Sequence, residues 1–107
     1  MAVATIRLAP AALMGEFYFK REMAQSIALR NLAQYTTAGT MGVPDLEGEA
    51  VAEEVFDLTN NPGRQDEREE LYGRGRSVSV GDIVVVDGVM FLCSPMGWTE
   101  LVDAFAE

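Results

Sequence analysis

The clearest periodicity lies in the last third of the chain, where apolar and polar residues alternate between short turns. Residues 77–80 (Ser-Val-Ser-Val) alternate strictly, and Ile83–Val86 is a continuous β-branched run, typical of a strand that is buried on both faces. The Asp87-Gly88 dipeptide comes next, and it favours a type I′ turn because both central residues of that turn have positive φ. Residues 89–93 then form the return strand. The pattern predicts a hairpin that pairs residue 86 with 89 and residue 84 with 91.

Two earlier stretches carry apolar residues at helical spacing. The first spans residues 21–34. The second spans residues 48–59 and ends at the Asn-Asn-Pro-Gly of residues 60–63, which stops a helix. On the second helix the apolar stripe is formed by Val51, Ala52, Val55 and Leu58. The opposite, outward side carries three acidic residues, Glu53, Glu54 and Asp57.

The remaining segments are less regular. Residues 4–9 suit a strand that Pro10 ends, and the three aromatics of residues 17–19 suggest either strand packing, which we favour, or the lip of a pocket. Glycines and a proline in residues 36–44 indicate a break, with at most a short strand near 35–37. Residues 64–71 are highly charged and indicate an exposed short helix or a mobile loop. Residues 98–102 form a last strand or a short helix.

Together these elements predict one α+β domain over residues 1–107. Its small, mainly antiparallel sheet contains the C-terminal hairpin and is packed by two helices. A charged, exposed insert interrupts the domain at about residues 64–72. The length of 107 residues suits one domain, and 49% apolar residues supply its core.

Composition removes most catalytic chemistry. The chain contains no histidine, one cysteine (Cys93) and one lysine (Lys20), so the usual triads and the commonest zinc ligand are missing. Cys93 falls in a predicted buried strand, where a thiol is normally inert. Residues 73–77 (Gly-Arg-Gly-Arg-Ser) begin like a phosphate-binding loop but lack its third glycine, so we favour a flexible entry into the next strand. We expect no catalytic residue, no cofactor and no metal.

Charge is distributed unevenly along the chain, whose net charge is −9. Residues 1–43 carry four basic and two acidic side chains, whereas residues 44–107 carry four basic and fifteen acidic ones. Such a surface disfavours nucleic acid and either keeps the protein soluble or presents a face to a basic protein partner. The residues that would form such a face are Glu53, Glu54, Asp57, Asp66, Glu67, Glu69, Glu70 and Trp98. Trp98 alternatively anchors the core.

The order of these pieces resembles the YodL-like domains of bacterial, phage and conjugative-element proteins. Four segments carry the resemblance: residues 51–56 with Asn60, residues 75–84 (Gly-Arg-Ser-Val-Ser-Val-Gly-Asp-Ile-Val), residues 91–94, and the Gly97-Trp98 pair. The resemblance implies a small non-enzymatic module without a shared active site. In such a module the Gly81-Asp82 pair would be a turn that fixes strand register.

The leading expectation is therefore an accessory protein of a bacterium or mobile element that acts in the cytoplasm by binding another protein. No apolar run approaches the length of a membrane span, so we expect no membrane partner. One alternative is an acidic mimic of DNA that inhibits a host DNA-binding or defence protein. Another is an enzyme without histidine, which would need carboxylates, Cys93, Tyr18 or Tyr35 in a pocket.

Overall fold

The computed structural model describes residues 2–73, 75–95 and 97–101, apart from the side chain of Arg21. Within these residues the strands are β1 (Ala2–Leu8), β2 (Thr36–Val43), β3 (Ile83–Val86), β4 (Val89–Ser94) and β5 (Gly97–Glu100). The helices are α1 (Ala11–Phe19), α2 (Ala24–Arg30), α3 (Glu49–Asn60) and α4 (Gln65–Leu71). Short 3₁₀ turns lie at Arg21–Met23, Leu32–Gln34 and Pro62–Arg64. The α+β class predicted from the sequence is confirmed.

All five strands belong to one antiparallel sheet in the order β2-β1-β3-β4-β5. The hairpin has the predicted register, since Val86 pairs with Val89 and Val84 with Phe91. Its turn residues Asp87 and Gly88 have φ values of 48° and 90°. Both are positive, as a type I′ turn requires.

The core lies on both faces of the sheet. Because side chains alternate along a strand, Val84 and Val86 pack on the α3 side while Ile83 and Val85 pack on the α1–α2 side. Helix α3 covers the first face with the four apolar residues that its sequence predicts, all of them buried. The prediction that β3 is buried on both faces is confirmed.

Two segments adopt a different structure from the one their sequence suggests. Residues 36–43 form the eight-residue strand β2 rather than a break, because β1 supplies a partner ladder along the whole length. Gly39 fits this strand for a packing reason, since a Cβ atom there would lie 3.2 Å from the Tyr72 ring. The aromatic cluster of residues 17–19 ends helix α1 instead of forming a strand. Helical spacing turns Leu13 and Phe17 inward, and leaves Tyr18 and Phe19 exposed.

The alternating residues 77–80 are also not a strand. The backbone N–H groups of this segment bind side chains instead of a neighbouring strand. Val78 N donates to Thr59 Oγ1 at 3.1 Å, and Ser79 N donates to Asp82 Oδ2 at 2.8 Å. A ladder with a neighbouring strand is therefore not formed by these groups. Further on, residues 97–100 form the last strand, and residue 102 lies outside the described residues.

The α-helix predicted over residues 21–34 is shorter than expected. Only Ala24–Arg30 is α-helical, and a 3₁₀ turn lies on each side of it. The charged insert contains α4, in agreement with the first of its two predicted forms, and six of the seven residues of that helix are exposed. Among the described residues, no helix combines the length and apolar character needed to cross a membrane.

Candidate functional site

The predicted partner-binding residues lie on α3, α4 and β5, but they do not form one free acidic surface. Glu53 accepts a hydrogen bond from Trp98 Nε1 at 2.9 Å. The Trp98 ring meets Phe56 edge to face, with centroids 6.3 Å apart. Trp98 is half-buried and packs against the core cluster of the α3 face. This tryptophan therefore ties β5 to α3, which is closer to the anchoring role than to an exposed hot spot.

Arg64 holds three of the other predicted carboxylates. Its guanidinium lies 2.7 Å from Glu54, 2.8 Å from Asp57 and 2.6 Å from Glu67. Glu54 and Asp57 are one helical turn apart on α3, and the Asn61-Pro62 turn brings Arg64 back beside them. The hydrogen bond from Arg64 lowers the pKa of Glu67, and the three carboxylates raise the pKa of Arg64. This Arg64 cluster leaves less negative charge for a partner than the sequence suggests.

Asp66, Glu69 and Glu70 are exposed on the outer side of α4. Arg68, which interrupts this acidic run, points the other way. It donates to the carbonyl oxygens of Thr59, at 2.7 Å, and Gly75. Arg68 therefore fastens α4 to the rest of the domain and presents the acidic residues of that helix to solvent.

A second arginine cluster, which sequence reasoning missed, centres on Asp82. This carboxylate is fully buried at 0% exposure, and it accepts bonds from Ala9 N and Ser79 N, both at 2.8 Å. Arg76 completes it with two contacts, at 2.5 and 2.8 Å, and also donates to the carbonyl of Ala9 at 2.9 Å. The pairing with Asp82 raises the pKa of Arg76. Both oxygens of Asp82 are thus engaged in joining β1, the 75–80 segment and β3.

The turn expected at Gly81-Asp82 is present, but it is more than a turn. Gly81 N and Asp82 O bond to the backbone of Cys93, both at 2.8 Å, and Tyr35 donates its hydroxyl to the Gly81 carbonyl at 2.5 Å. Burial raises the pKa of Tyr35, and the charge of Asp82 adds to the effect. Of the two arginines in the predicted phosphate-loop-like segment, Arg76 already binds Asp82 and the Ala9 carbonyl oxygen within the protein. Arg74 lies outside the described residues.

Cys93 is buried beside the same cluster. Burial raises the pKa of its thiol to about 12, with smaller contributions from the charges of Asp82 and Glu53. Because the thiolate is the nucleophilic form, this thiol is unreactive at neutral pH. Within the described residues, no group of three or more acidic or cysteine side chains is arranged to hold a metal ion.

A groove of about 810 Å³ lies between the β2–α3 loop and the β3–β4 hairpin. We call it the acidic groove. Four carboxylates line it, namely those of Asp45, Glu47, Asp87 and Glu100. Between them lie five apolar side chains: Ala2, Leu46, Val86, Val89 and Phe91. An apolar floor with an acidic rim can take an aliphatic or aromatic anchor together with basic groups.

Local conformation shapes the groove. The loop reverses through positive φ at Asp45 (65°) and Gly48 (59°), which leaves the Leu46 side chain 36% exposed. Across the groove Val89 is 40% exposed, and Asp87 Oδ1 accepts a bond from Val3 N at 2.9 Å, which fixes that carboxylate. The sequence signal for this site was the acid-rich run of residues 45–49 around one leucine, but its proximity to the hairpin depends on the tertiary fold.

No family model matches the chain, and neither a curated protein nor a solved structure matches it. The resemblance to YodL-like domains therefore stays a prediction.

Proposed function

We propose that this protein is a non-enzymatic module of a bacterium or mobile element that acts in the cytoplasm by binding another protein. The acidic groove is the observation that carries the proposal. Its exposed Leu46 and Val89 offer apolar contact area, and its four carboxylates favour a basic partner. The occupant that fits is a short basic segment with an aliphatic or aromatic side chain between its lysines or arginines.

The groove supports this function better than the acidic helices do. On α3 and α4, Glu54, Asp57 and Glu67 are already bound to Arg64, which offsets one of their three negative charges. A mimic of DNA would need these carboxylates free and spaced like phosphates, so mimicry is the weaker proposal. Catalysis by Cys93 or Tyr35 is weaker still, since both side chains are buried and Tyr35 already donates to a carbonyl oxygen.

A pull-down with charge-reversed variants tests the proposal. The bait is the wild-type chain at low salt, compared with Glu47→Lys/Glu100→Lys in the groove and Glu69→Lys/Glu70→Lys on α4. Both double variants change the net charge equally and alter exposed residues. We expect a specific protein bound by the wild type and by the α4 variant, lost with the groove variant, and released as salt rises to about 1 M.

Two other outcomes would count against the proposal. Equal recovery by all three baits would show that the acidic groove is not the binding site. Loss with the α4 variant alone would place recognition on α4. Circular dichroism of each variant is the control for folding.

A further inference from the structure

The two edges of the sheet are protected to different degrees. Strand β5 is short, at four residues, and ends with Glu100. Strand β2 has eight residues, none of them charged, and it lies in the longest stretch of the chain without a charged side chain, residues 31–44. Natural edge strands are usually shortened, charged or interrupted by proline, because an open edge invites pairing with another strand. The β2 edge has none of these protections between Gly39 and Val43.

The direction of the free backbone groups on β2 follows from the ladder. Val3 O accepts from Asp87 N at 3.1 Å and Val3 N donates to the Asp87 side chain, so both groups point toward β3. Because these groups alternate along a strand, those of Ala4 point toward β2, where the partner residue is Met41. The groups of the residues on either side of Met41 therefore point away from the sheet.

These residues are Thr40 and Gly42. Among the described residues, no hydrogen bond engages their N–H and C=O groups on the open side. Two features limit the open stretch. The ladder with β1 shifts register at Ala38, and Pro44 has no N–H to donate. A strand that adds here must therefore use the window between residues 39 and 43.

Residues 39–43 can pair with the same residues of a second chain in one antiparallel register. If Met41 faces Met41 of a second copy across a two-fold axis, Thr40 lies opposite Gly42 of the other chain. Each Thr40–Gly42 pair exchanges two hydrogen bonds, which satisfies all four open groups of each chain. A register centred on Thr40 would pair Gly42 with the irregular Ala38, and one centred on Gly42 would pair Thr40 with Pro44.

Side chains match in the same register. Opposite residues in an antiparallel pair lie on the same face, so Gly42 meets Thr40 and Gly39 meets Val43. In each pair a glycine faces a β-branched residue, which leaves room for close approach. The stretch is also neutral, so two chains of net charge −9 meet where neither places a charged side chain.

We propose that two copies of this chain pair through the β2 edge, in antiparallel register about Met41, to form a continuous ten-stranded sheet. This assembly is independent of the proposed partner binding. The two also respond oppositely to salt: screening weakens repulsion between acidic copies and strengthens the dimer, whereas it weakens the binding of a basic partner.

Sedimentation equilibrium over a concentration series, at low and at about 1 M salt, measures this pairing. We expect a monomer–dimer equilibrium that ends at twice the monomer mass of 11.7 kDa and tightens with salt. Thr40→Lys puts a charge in the window and should weaken dimerisation at least about tenfold. Val3→Lys is the matched control, since it adds the same charge at an exposed position of the inner strand β1 and should leave the dimer intact.

Amide chemical shifts test the register. The N–H resonances of Thr40 and Gly42 should move with protein concentration, and those of Gly39 and Met41, which face β1, should move less. A mass that stays at 11.7 kDa at every concentration would overturn the proposal, as would a dimer that Thr40→Lys leaves unchanged. Shifts that respond to an added peptide but not to concentration would assign the edge to another protein.

Discussion

Arg64 and Arg76 each lie among carboxylates, and the comparison shows how burial changes the value of the same contact. The carboxylates around Arg64 are between 34% and 50% exposed, whereas Asp82 beside Arg76 is 0% exposed. Water already solvates the first set, so an exposed pair contributes about 0–1 kcal/mol. Asp82 has exchanged water for Arg76 and two backbone donors, so removal of one partner leaves buried groups unsatisfied.

The two clusters also differ in whether their charges stabilise the fold or remain accessible at the surface. The Arg64 cluster joins α3 to the start of α4 and can rearrange with little cost. The Arg76 cluster joins β1 to the segment that precedes β3. We therefore expect substitutions around Asp82 to affect folding, and substitutions around Arg64 to affect mainly the surface charge.

The largest expected effect comes from Asp82→Asn. The amide places an NH₂ group where Ser79 N–H and the Arg76 guanidinium both need an acceptor, and we expect a loss of about 3–5 kcal/mol of unfolding free energy. Asp57→Asn is the matched change in the Arg64 cluster and should cost less than about 1 kcal/mol. Urea denaturation of both variants measures the difference. Equal losses would show that burial does not separate the clusters.

Gly81→Ala should have the next largest effect. Gly81 has φ of 98°, and a Cβ atom there would lie 2.4 Å from the Phe17 ring. We expect a loss of about 2–4 kcal/mol from overpacking and backbone strain. Gly63→Ala, next to Arg64, meets only Asn61 Oδ1 at 3.2 Å and should change stability by less than about 1 kcal/mol. Thermal melts compare the two variants. Similar melting temperatures would contradict the close packing of Gly81 against Phe17.

Gly88→Val measures the effect of backbone strain without the steric overlap present at Gly81. Gly88 has φ of 90°, but a Cβ atom at this position would have no other atom within 4 Å, so only the backbone conformation opposes a β-branched residue. We expect a loss of about 1–2 kcal/mol, smaller than that of Gly81→Ala. An unchanged melting temperature would show that the hairpin tolerates the strain.

The smallest effect concerns pH. Because Arg64 lowers the pKa of Glu67 in the folded state, the contribution of this pair is present above the ordinary glutamate pKa of 4.5 and is lost as pH falls through the lower, folded pKa. Carboxyl NMR titration should show Glu67 titrating below the ordinary glutamate pKa in the wild type. Arg64→Gln should raise the pKa of Glu67 toward the ordinary glutamate value. A Glu67 pKa that does not respond to this substitution would show that Arg64 does not hold it in solution.

Local signals in the sequence predict those elements whose structure depends on near neighbours. The Asp87-Gly88 turn and the apolar stripe of α3 are of this kind, and both are confirmed. Strand β2 could not be predicted because its glycines and Pro44 resemble a break, and only the ladder with β1 makes it a strand. The strand predicted at residues 77–80 is wrong for the opposite reason. Its side chains alternate as in a strand, but the side chains of Thr59 and Asp82 bind its backbone N–H groups.

The same distinction holds for the candidate sites. The acidic residues of α3 and α4 are visible in the sequence, but the pairing of three of them with Arg64 depends on the turn at residues 61–62. The role of Asp82 depends on Ala9, which lies far away in the chain, so a turn was the most that the local pattern could indicate. The acidic groove needs the β2–α3 loop and the β3–β4 hairpin to meet, and no local pattern carries that information.

The position of β1 inside the sheet has a consequence for synthesis on the ribosome. This strand is made first among the five but lies between β2 and β3, so one of its two ladders waits until residues 83–86 have been translated. Until then a nascent chain can form only the β1–β2 pair, and the backbone groups of Val3 and Thr5, which point toward β3, have no strand partner. Chains that stall before Ile83 would therefore present an unpaired strand edge, which makes them substrates for chaperones and prone to aggregate.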